Sequence, residues 1–148
     1  MGWHYYYRNV DKPLPVKMNG TNNETVALPL FIYENSLPEP CVVALDLIFW
    51  QADSHDIDQV KVNGKEIVLT FADPEWLDGQ LYCDQPQPTA GGWRSFPITS
   101  NKFLKMTYRV PKEEIKYGEN TICIVFRDGV CRSGITVEKA ELNVAWTR

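Results

Sequence analysis

Apolar residues recur at every second position through most of the chain, in runs of strand length, and a period of two belongs to strands because successive side chains point to opposite faces. Val26, Leu28, Leu30 and Ile32 mark the first clear run, and Pro29 inside it removes a ladder donor, which predicts an edge or irregular strand. Val43, Leu45, Leu47 and Phe49 predict the next, with Asp46 and Trp50 on its other face. Val60-Lys61-Val62-Asn63-Gly64-Lys65-Glu66-Ile67 predicts a hairpin, since Asn-Gly supplies the two positive φ angles of a type I′ turn. Leu104, Met106, Tyr108 and Val110 share one face of a further strand, and Ile122, Ile124 and Phe126 share a face of another. Asp128-Gly129 then predicts a turn that sets Phe126 opposite Cys131, a strand over 130–137, and a last strand over 140–146 with Ala140, Leu142, Val144 and Trp146 in alternation. Helical spacing is confined to Pro111-Lys112-Glu113-Glu114-Ile115, room for one turn.

Short strands, Gly and Pro at the turns, and a core that runs the length of the chain predict an all-β fold. The expectation is one domain over 1–148, an antiparallel β-sandwich of jelly-roll rather than immunoglobulin type, because the Cys…Trp…Cys spacing of the latter is missing. Residues 1–25 read as an N-terminal strand and loop. Trp3-His4-Tyr5-Tyr6-Tyr7 fits an extra strand over a sheet edge or a surface packed on a neighbouring domain, and 11–24 reads as a long ordered loop. Residues 70–102 read as one long variable loop with weak strand character, a length that is usually functional or disordered.

Strand direction alternates, so each connection can be assigned to an end of the sandwich. Residues 19–25, 51–58, 70–102 and 127–130 fall at one end, termed here the variable end. Asn63-Gly64 and 111–120 fall at the other.

The content of 70–102 argues against disorder: Phe71, Trp76, Leu77, Leu81, Tyr82, Trp93 and Phe96 are interleaved with acids, amides and Arg94. Sugar rings present apolar C–H faces and a rim of hydroxyls, so a site for them needs flat aromatics plus planar hydrogen-bonding groups. Trp76 and Trp93 suit the platform role, with Tyr82 supplementary, while Asp78, Gln85, Gln87 and Arg94 suit the hydroxyl-pairing role. Gly91-Gly92 would let backbone approach a ligand closely. The competing reading is that Trp76, Leu77, Tyr82 and Phe96 form the loop's own small core.

Charge narrows the partners. A net charge of −4, with acids and bases mixed along the chain and no Lys/Arg block, excludes nucleic acid as the expected partner. No run approaches the roughly 18 apolar residues of a membrane helix, so no membrane is expected either. Cys41, Cys83, Cys123 and Cys131 match no zinc spacing, and Cys123 and Cys131 read as free thiols in preference to a disulfide. His4 and His55 are the only histidines, which argues against a His-rich metal centre, and neither G-x-S-x-G nor a phosphate loop occurs. Asp78 with Asp128 is the carboxylate pair that would be chosen for glycosidic chemistry, but the expectation is no catalysis. No cofactor is expected. Asp53-Ser54-His55-Asp56-Ile57-Asp58, or Asp11, Asn19, Asn22 and Glu24, could supply oxygens to a structural calcium, although the spacing is not that of an EF-hand loop. Residues 1–7 lack the basic segment and apolar run of a signal peptide, so an exported parent would carry this chain as mature protein or as one domain.

Three segments carry a resemblance: Val60-Lys61-Val62-Asn63-Gly64-Lys65; Tyr108-Arg109-Val110-Pro111 through Gly118-Glu119-Asn120-Thr121-Ile122; and Ile135-Thr136-Val137-Glu138-Lys139-Ala140-Glu141-Leu142-Asn143-Val144. Together they resemble the galactose-binding-like jelly rolls found as accessory domains of bacterial glycoside hydrolases and related polysaccharide-degrading enzymes, over about 42–146. The resemblance implies a non-catalytic carbohydrate-binding module that takes an oligo- or polysaccharide, is tethered to a catalytic domain in a larger polypeptide, and is secreted, cell-surface or periplasmic. The alternative it allows is a non-binding structural domain packed against the catalytic domain. A stand-alone enzyme such as a small polysaccharide lyase is the third reading. Many members hold a structural calcium. No ligand residue carries over, because the loops are where such domains differ, and Asn63-Gly64 and Gly118-Glu119-Asn120 are read as fold markers.

Overall fold

The computed structural model describes residues 2–8, 14, 16–17, 24–33, 37, 40–77, 88–89, 92–93, 103–127 and 135–147. In chain order the strands among them are β1 (Gly2–Arg8), β2 (Val16–Lys17), β3 (Thr25–Ile32), β4 (Cys41–Trp50), β5 (Ile57–Val62), β6 (Lys65–Glu66), β7 (Val68–Trp76), β8 (Pro88–Thr89), β9 (Gly92–Trp93), β10 (Phe103–Val110), β11 (Gly118–Phe126) and β12 (Thr136–Thr147). They form two antiparallel sheets: a larger one in the order β1-β12-β4-β10-β7, with β2 also on β12, and a smaller one in the order β3-β11-β5-β6. Among the described residues, β8 and β9 pair only with each other.

The apolar faces read from the sequence meet between these sheets. Val43, Leu45, Leu47 and Phe49 of β4 and Leu104, Met106, Tyr108 and Val110 of β10 are buried in one cluster with Leu28, Leu30 and Ile32 of β3 and Ile122, Ile124 and Phe126 of β11. Phe49 and Phe126 bridge the sheets edge to face, with ring centroids 6.3 Å apart. Pro29 sits on β3, an edge strand paired only with β11, as its missing N–H requires. Asn63 and Gly64 both take positive φ, 51° and 88°. The single turn after Val110 is a 3₁₀ turn over Lys112–Glu114, and β1 runs antiparallel along β12 at the sheet edge.

Register bears out the assignment of ends. Thr136 lies opposite Trp50, Leu104 opposite Phe49 and Phe103 opposite Trp76, while Phe126 lies opposite Ile57 and Val125 opposite Thr25. The connections at 51–56, 77–102 and 127–135 therefore leave from one end.

Four expectations are corrected. Asp128-Gly129 lies outside the described residues, but the strands on either side do not pair as expected, because β11 belongs to the smaller sheet and β12 to the larger. The two closing strands are one: the register shifts between Val137 and Lys139, and this bulge moves the inward set from Val137 to Ala140, Leu142 and Val144, so the broken alternation does not mark a strand end. Residues 70–76, assigned to the long loop, belong to β7. Its alternation is masked by Asp73-Pro74-Glu75, which an edge strand tolerates. Within 11–24, Val16 and Lys17 pair with Val137 and Thr136. Cys123 carries a free thiol, as does Cys41, whose pKa is pushed up by burial.

The segments that carried the resemblance interlock at the plain end. Asn120 is fully buried; its Nδ2 donates to the carbonyls of Lys116 (2.9 Å), Gly118 (3.3 Å) and Leu30 (3.4 Å), while its Oδ1 accepts from Lys116 N (3.0 Å) and Asn63 Nδ2 (2.9 Å). Asn63 also donates to the Glu114 carbonyl at 2.7 Å and accepts from Thr121 N at 2.9 Å. Both asparagines thus satisfy backbone groups that the turns leave unpaired. Gly118 has φ +90°, and a Cβ built there would meet nothing within 4 Å. Gly118→Ala is therefore expected to destabilise through backbone strain alone, by about 1–2 kcal/mol, read as a lowered denaturant midpoint with unchanged slope.

Candidate functional site

Alternation that sends Val43, Leu45 and Leu47 inward sends Ala44, Asp46 and Ile48 to the outer face of the larger sheet. Lys105 and Thr107 of β10 and Lys139, Glu141, Asn143 and Ala145 of β12 emerge beside them, and Trp76 stands where β7 ends. Together they line an open depression of about 570 Å³. Its centre is polar and internally satisfied. Asp46 accepts from Thr107 Oγ1 at 2.6 Å, its cross-strand neighbour, and from Asn143 Nδ2 across the other strand boundary. Glu141 lies directly opposite Asp46, a like-charge pairing that is unfavourable unless relieved. Lys139 Nζ supplies that relief, 3.1 Å from Glu141 Oε1.

Toward the variable end the face becomes apolar. Ile48 and Phe103 are buried here although they lie outside the core between the sheets. Trp76 is opposite Phe103 in register and half-buried. The Lys105 ammonium rests 3.8 Å from the centroid of its ring, a cation–π contact in which the charge sits over the negative face of the indole. The depression thus offers an indole, one cation beside it, and a row of amide, hydroxyl and carboxylate groups, which is chemistry suited to a polyhydroxylated ligand.

Of the residues chosen from sequence, Trp76 is brought to this site. Trp93 is described through its backbone, in β9 opposite Pro88. Asp78, Tyr82, Gln85 and Arg94 lie outside the described residues, as do Gln87, Phe96 and Asp128. Lys105, Thr107, Lys139, Glu141 and Asn143 were not anticipated. The available signal was the polar half of each alternating strand, of which Asp46 alone was noted.

The acidic segment before β5 has a local duty. Asp53 caps the 3₁₀ turn Ser54–Asp56: its side chain accepts from His55 N, and Asp56 Oδ2 accepts from Asp53 N in return at 2.9 Å. Arg127 donates through Nε to the His55 carbonyl at 2.8 Å and lies 3.6 Å from Asp58. Among the described residues, no group of three or more His, Cys, Asp or Glu is placed to hold a metal ion. A second opening, about 710 Å³, runs between the β5–β6 hairpin and β7 and reaches Tyr108. Burial pushes that phenol well above its ordinary range, and among the described residues its hydroxyl donates to Met106 Sδ alone, at 3.8 Å.

No family model matches the chain, and no curated protein matches it by sequence. Solved structures do match. A wild-type glycoside hydrolase of family 86 in complex with neoagarooctaose is similar over 97% of this chain and 19% of its own, with a TM-score of 0.57 and 15% identity. A β-porphyranase of the same family from the human gut bacterium Bacteroides plebeius is similar over 98% of this chain and 21% of its own, with a TM-score of 0.55 and 16% identity. A substituted form of the first enzyme, also with neoagarooctaose, gives a TM-score of 0.57 at 15% identity over 97% and 18%. The chain spans about a fifth of the length of these enzymes. At such identity the likeness establishes the fold: the same all-β architecture is found inside glycoside hydrolase chains.

Proposed function

We propose that this chain is a non-catalytic accessory domain, a jelly roll of galactose-binding-like type, that holds a larger polysaccharide-degrading enzyme on its glycan. The observation that carries the reading is Trp76, an indole at the rim of an open depression whose floor is a row of hydroxyl-pairing groups. The placement of the fold within glycoside hydrolase chains supports the setting. Asp46 and Glu141 are each engaged by internal partners, which favours binding over acid–base chemistry. Asp78, Tyr82, Gln85, Trp93 and Arg94, from the segment that follows Trp76, remain the candidates to extend the site. A polymeric substrate cannot enter a cell, so the proposed location is secreted, cell-surface or periplasmic. No metal is invoked.

Trp76→Ala is the test. Stacking on an exposed aromatic contributes about 1 kcal/mol or more, and single-site sugar affinity is weak to begin with. The variant is expected to lose detectable retention on a polysaccharide affinity gel while its thermal midpoint stays close to the parent's. Undiminished retention by Trp76→Ala would remove Trp76 from the site.

A second reading has its own support. Val68, Leu69 and Phe71, 69%, 42% and 54% exposed, line β7, which pairs with β10 on one side and with no strand on the other among the described residues. Apolar exposure along a strand edge suits burial against a catalytic domain of the same polypeptide. A domain that retains on no glycan yet co-purifies with its separately expressed catalytic neighbour would favour this packing role.

A further inference from the structure

We propose that the depression is selective for anionic glycan, and that Lys105 meets the sulfate or carboxylate substituent of the sugar bound at Trp76. This rests on the glycan-binding reading above and narrows its ligand class.

The inference starts from which charges on this face are already answered. Glu141 is paired with Lys139, and Asp46 is held by Thr107 and Asn143. Lys105 is different. Among the described residues it has no carboxylate within ion-pair distance, and its one partner is the ring of Trp76. It is half-buried in the middle of a strand, on the face of a sheet. A partly desolvated ammonium with only an aromatic partner has given up hydration without gaining a counter-charge, so an arriving anion recovers what burial cost. An anion bound there would gain more than it could from a lysine free in solvent.

Geometry makes the recognition composite. With Nζ 3.8 Å from the ring centroid, the cation and the indole occupy one spot, so a charged substituent and the C–H face of its sugar would be read together. Register also gives the site a direction. From the variable end toward the centre come Trp76 opposite Phe103, then Lys105 opposite Ile48, then Thr107 opposite Asp46. An anion placed near Trp76 meets Lys105, opposite which on β7 lies Asp73 with its Oδ1 already accepting from Glu75 N at 3.0 Å, whereas one placed centrally meets the carboxylates of Asp46 and Glu141. The site therefore accepts the charged sugar at its Trp76 end and neutral, hydroxyl-rich rings at its centre.

The experiment compares the folded chain on three immobilised polysaccharides of similar linkage: neutral, sulfated, and uronic-acid-containing. Binding is measured at low and high sodium chloride, with Lys105→Met and Lys105→Arg alongside. The expected result is tighter binding, by about tenfold, to at least one anionic polymer, the size of one desolvated charge contact. That advantage, read as the ratio of anionic to neutral binding in each variant, should shrink as salt screens it and fall to about one in Lys105→Met, while Lys105→Arg keeps it. The sulfated and uronic arms identify which anion is preferred. Equal binding to neutral and charged polymers, unaffected by Lys105→Met, overturns the proposal and leaves glycan binding standing. An anionic preference that persists in Lys105→Met also overturns it. Absence of binding to all three overturns both readings.

Discussion

Asn120→Ala is expected to lower the stability of the fold by about 4 kcal/mol and its thermal midpoint by roughly 10–15 °C. The size follows from what the side chain does, not from its volume. At a position with no solvent exposure, its two amide hydrogens are shared among three carbonyls and its oxygen receives two further bonds. Removing the amide leaves the buried bond to the Leu30 carbonyl unmade and takes one partner each from part-buried groups of Asn63, Lys116 and Gly118, and an unsatisfied buried polar group costs about 1–3 kcal/mol. Asn120→Asp keeps the shape but replaces a donating NH₂ with a carboxylate facing the Lys116, Gly118 and Leu30 carbonyls, and it should be no better tolerated at neutral pH. Thermal unfolding followed by circular dichroism checks both. A loss under 1 kcal/mol for Asn120→Ala would mean that the plain end relaxes around the gap, and that the network is no clasp between its turns. Glycan retention by the surviving folded fraction should be unchanged, since the clasp and Trp76 lie at opposite ends of the sandwich.

The same network explains why so much of the fold could be read from one chain. Asn63-Gly64 and Gly118-Glu119-Asn120 are local signals with local reasons, positive φ and turn capping, and the sandwich brings them together. Strands with unbroken alternation, such as 43–49, 104–110 and 122–126, announce themselves because one face is wholly buried. The failures share a cause. Asp128-Gly129 has the chemistry of a tight hairpin, which predicts paired neighbours, yet Phe126 and Val137 are buried in the core from opposite sheets, and burial decides which sheet a strand joins. The bulge at 138–139 hid the unity of β12 because it shifts the period that strand reading depends on. β7 was shortened because an edge strand need bury little, and its first four residues are exposed.

The site was legible only at one point. Trp76 stood out as an aromatic among polar residues. Asp46, Thr107 and Asn143 are 61 and 97 positions apart in sequence and meet only through the β10-β4-β12 register. No single-chain periodicity encodes that register, since alternation says which face a residue takes but not which strand lies beside it. Lys105 is the extreme case: in sequence it is one of fifteen basic residues, and its distinction is wholly a matter of the ring it rests on.

Phe126→Ala is expected to cost about 4 kcal/mol, in the range for a fully buried aromatic truncated in a packed core. Phe126 has no exposed surface, and its ring meets Phe49 edge-on at 82° across the two sheets. Such a contact adds about 1 kcal/mol beyond area burial, so the two positions should not be independent. Phe49→Ala alone should cost a similar amount, and the double variant less than the sum, by about 1 kcal/mol, because the second truncation enlarges a gap already opened and removes no second aromatic contact. A marginally stable domain has about 5–15 kcal/mol in total, so the double variant approaches the unfolding limit, and Phe126→Leu with Phe49→Leu provides a milder cycle with the same sign. Urea unfolding measures each corner. Strict additivity would show that the sheets are held by area burial alone; coupling of the expected size makes the Phe49–Phe126 contact the point where the face carrying Asp46 and Lys105 is fixed to the smaller sheet. In the second case the core substitutions should also weaken the proposed glycan retention, although neither ring lines the depression, because β4 supplies Asp46 and pairs with β10, which carries Lys105 and Thr107.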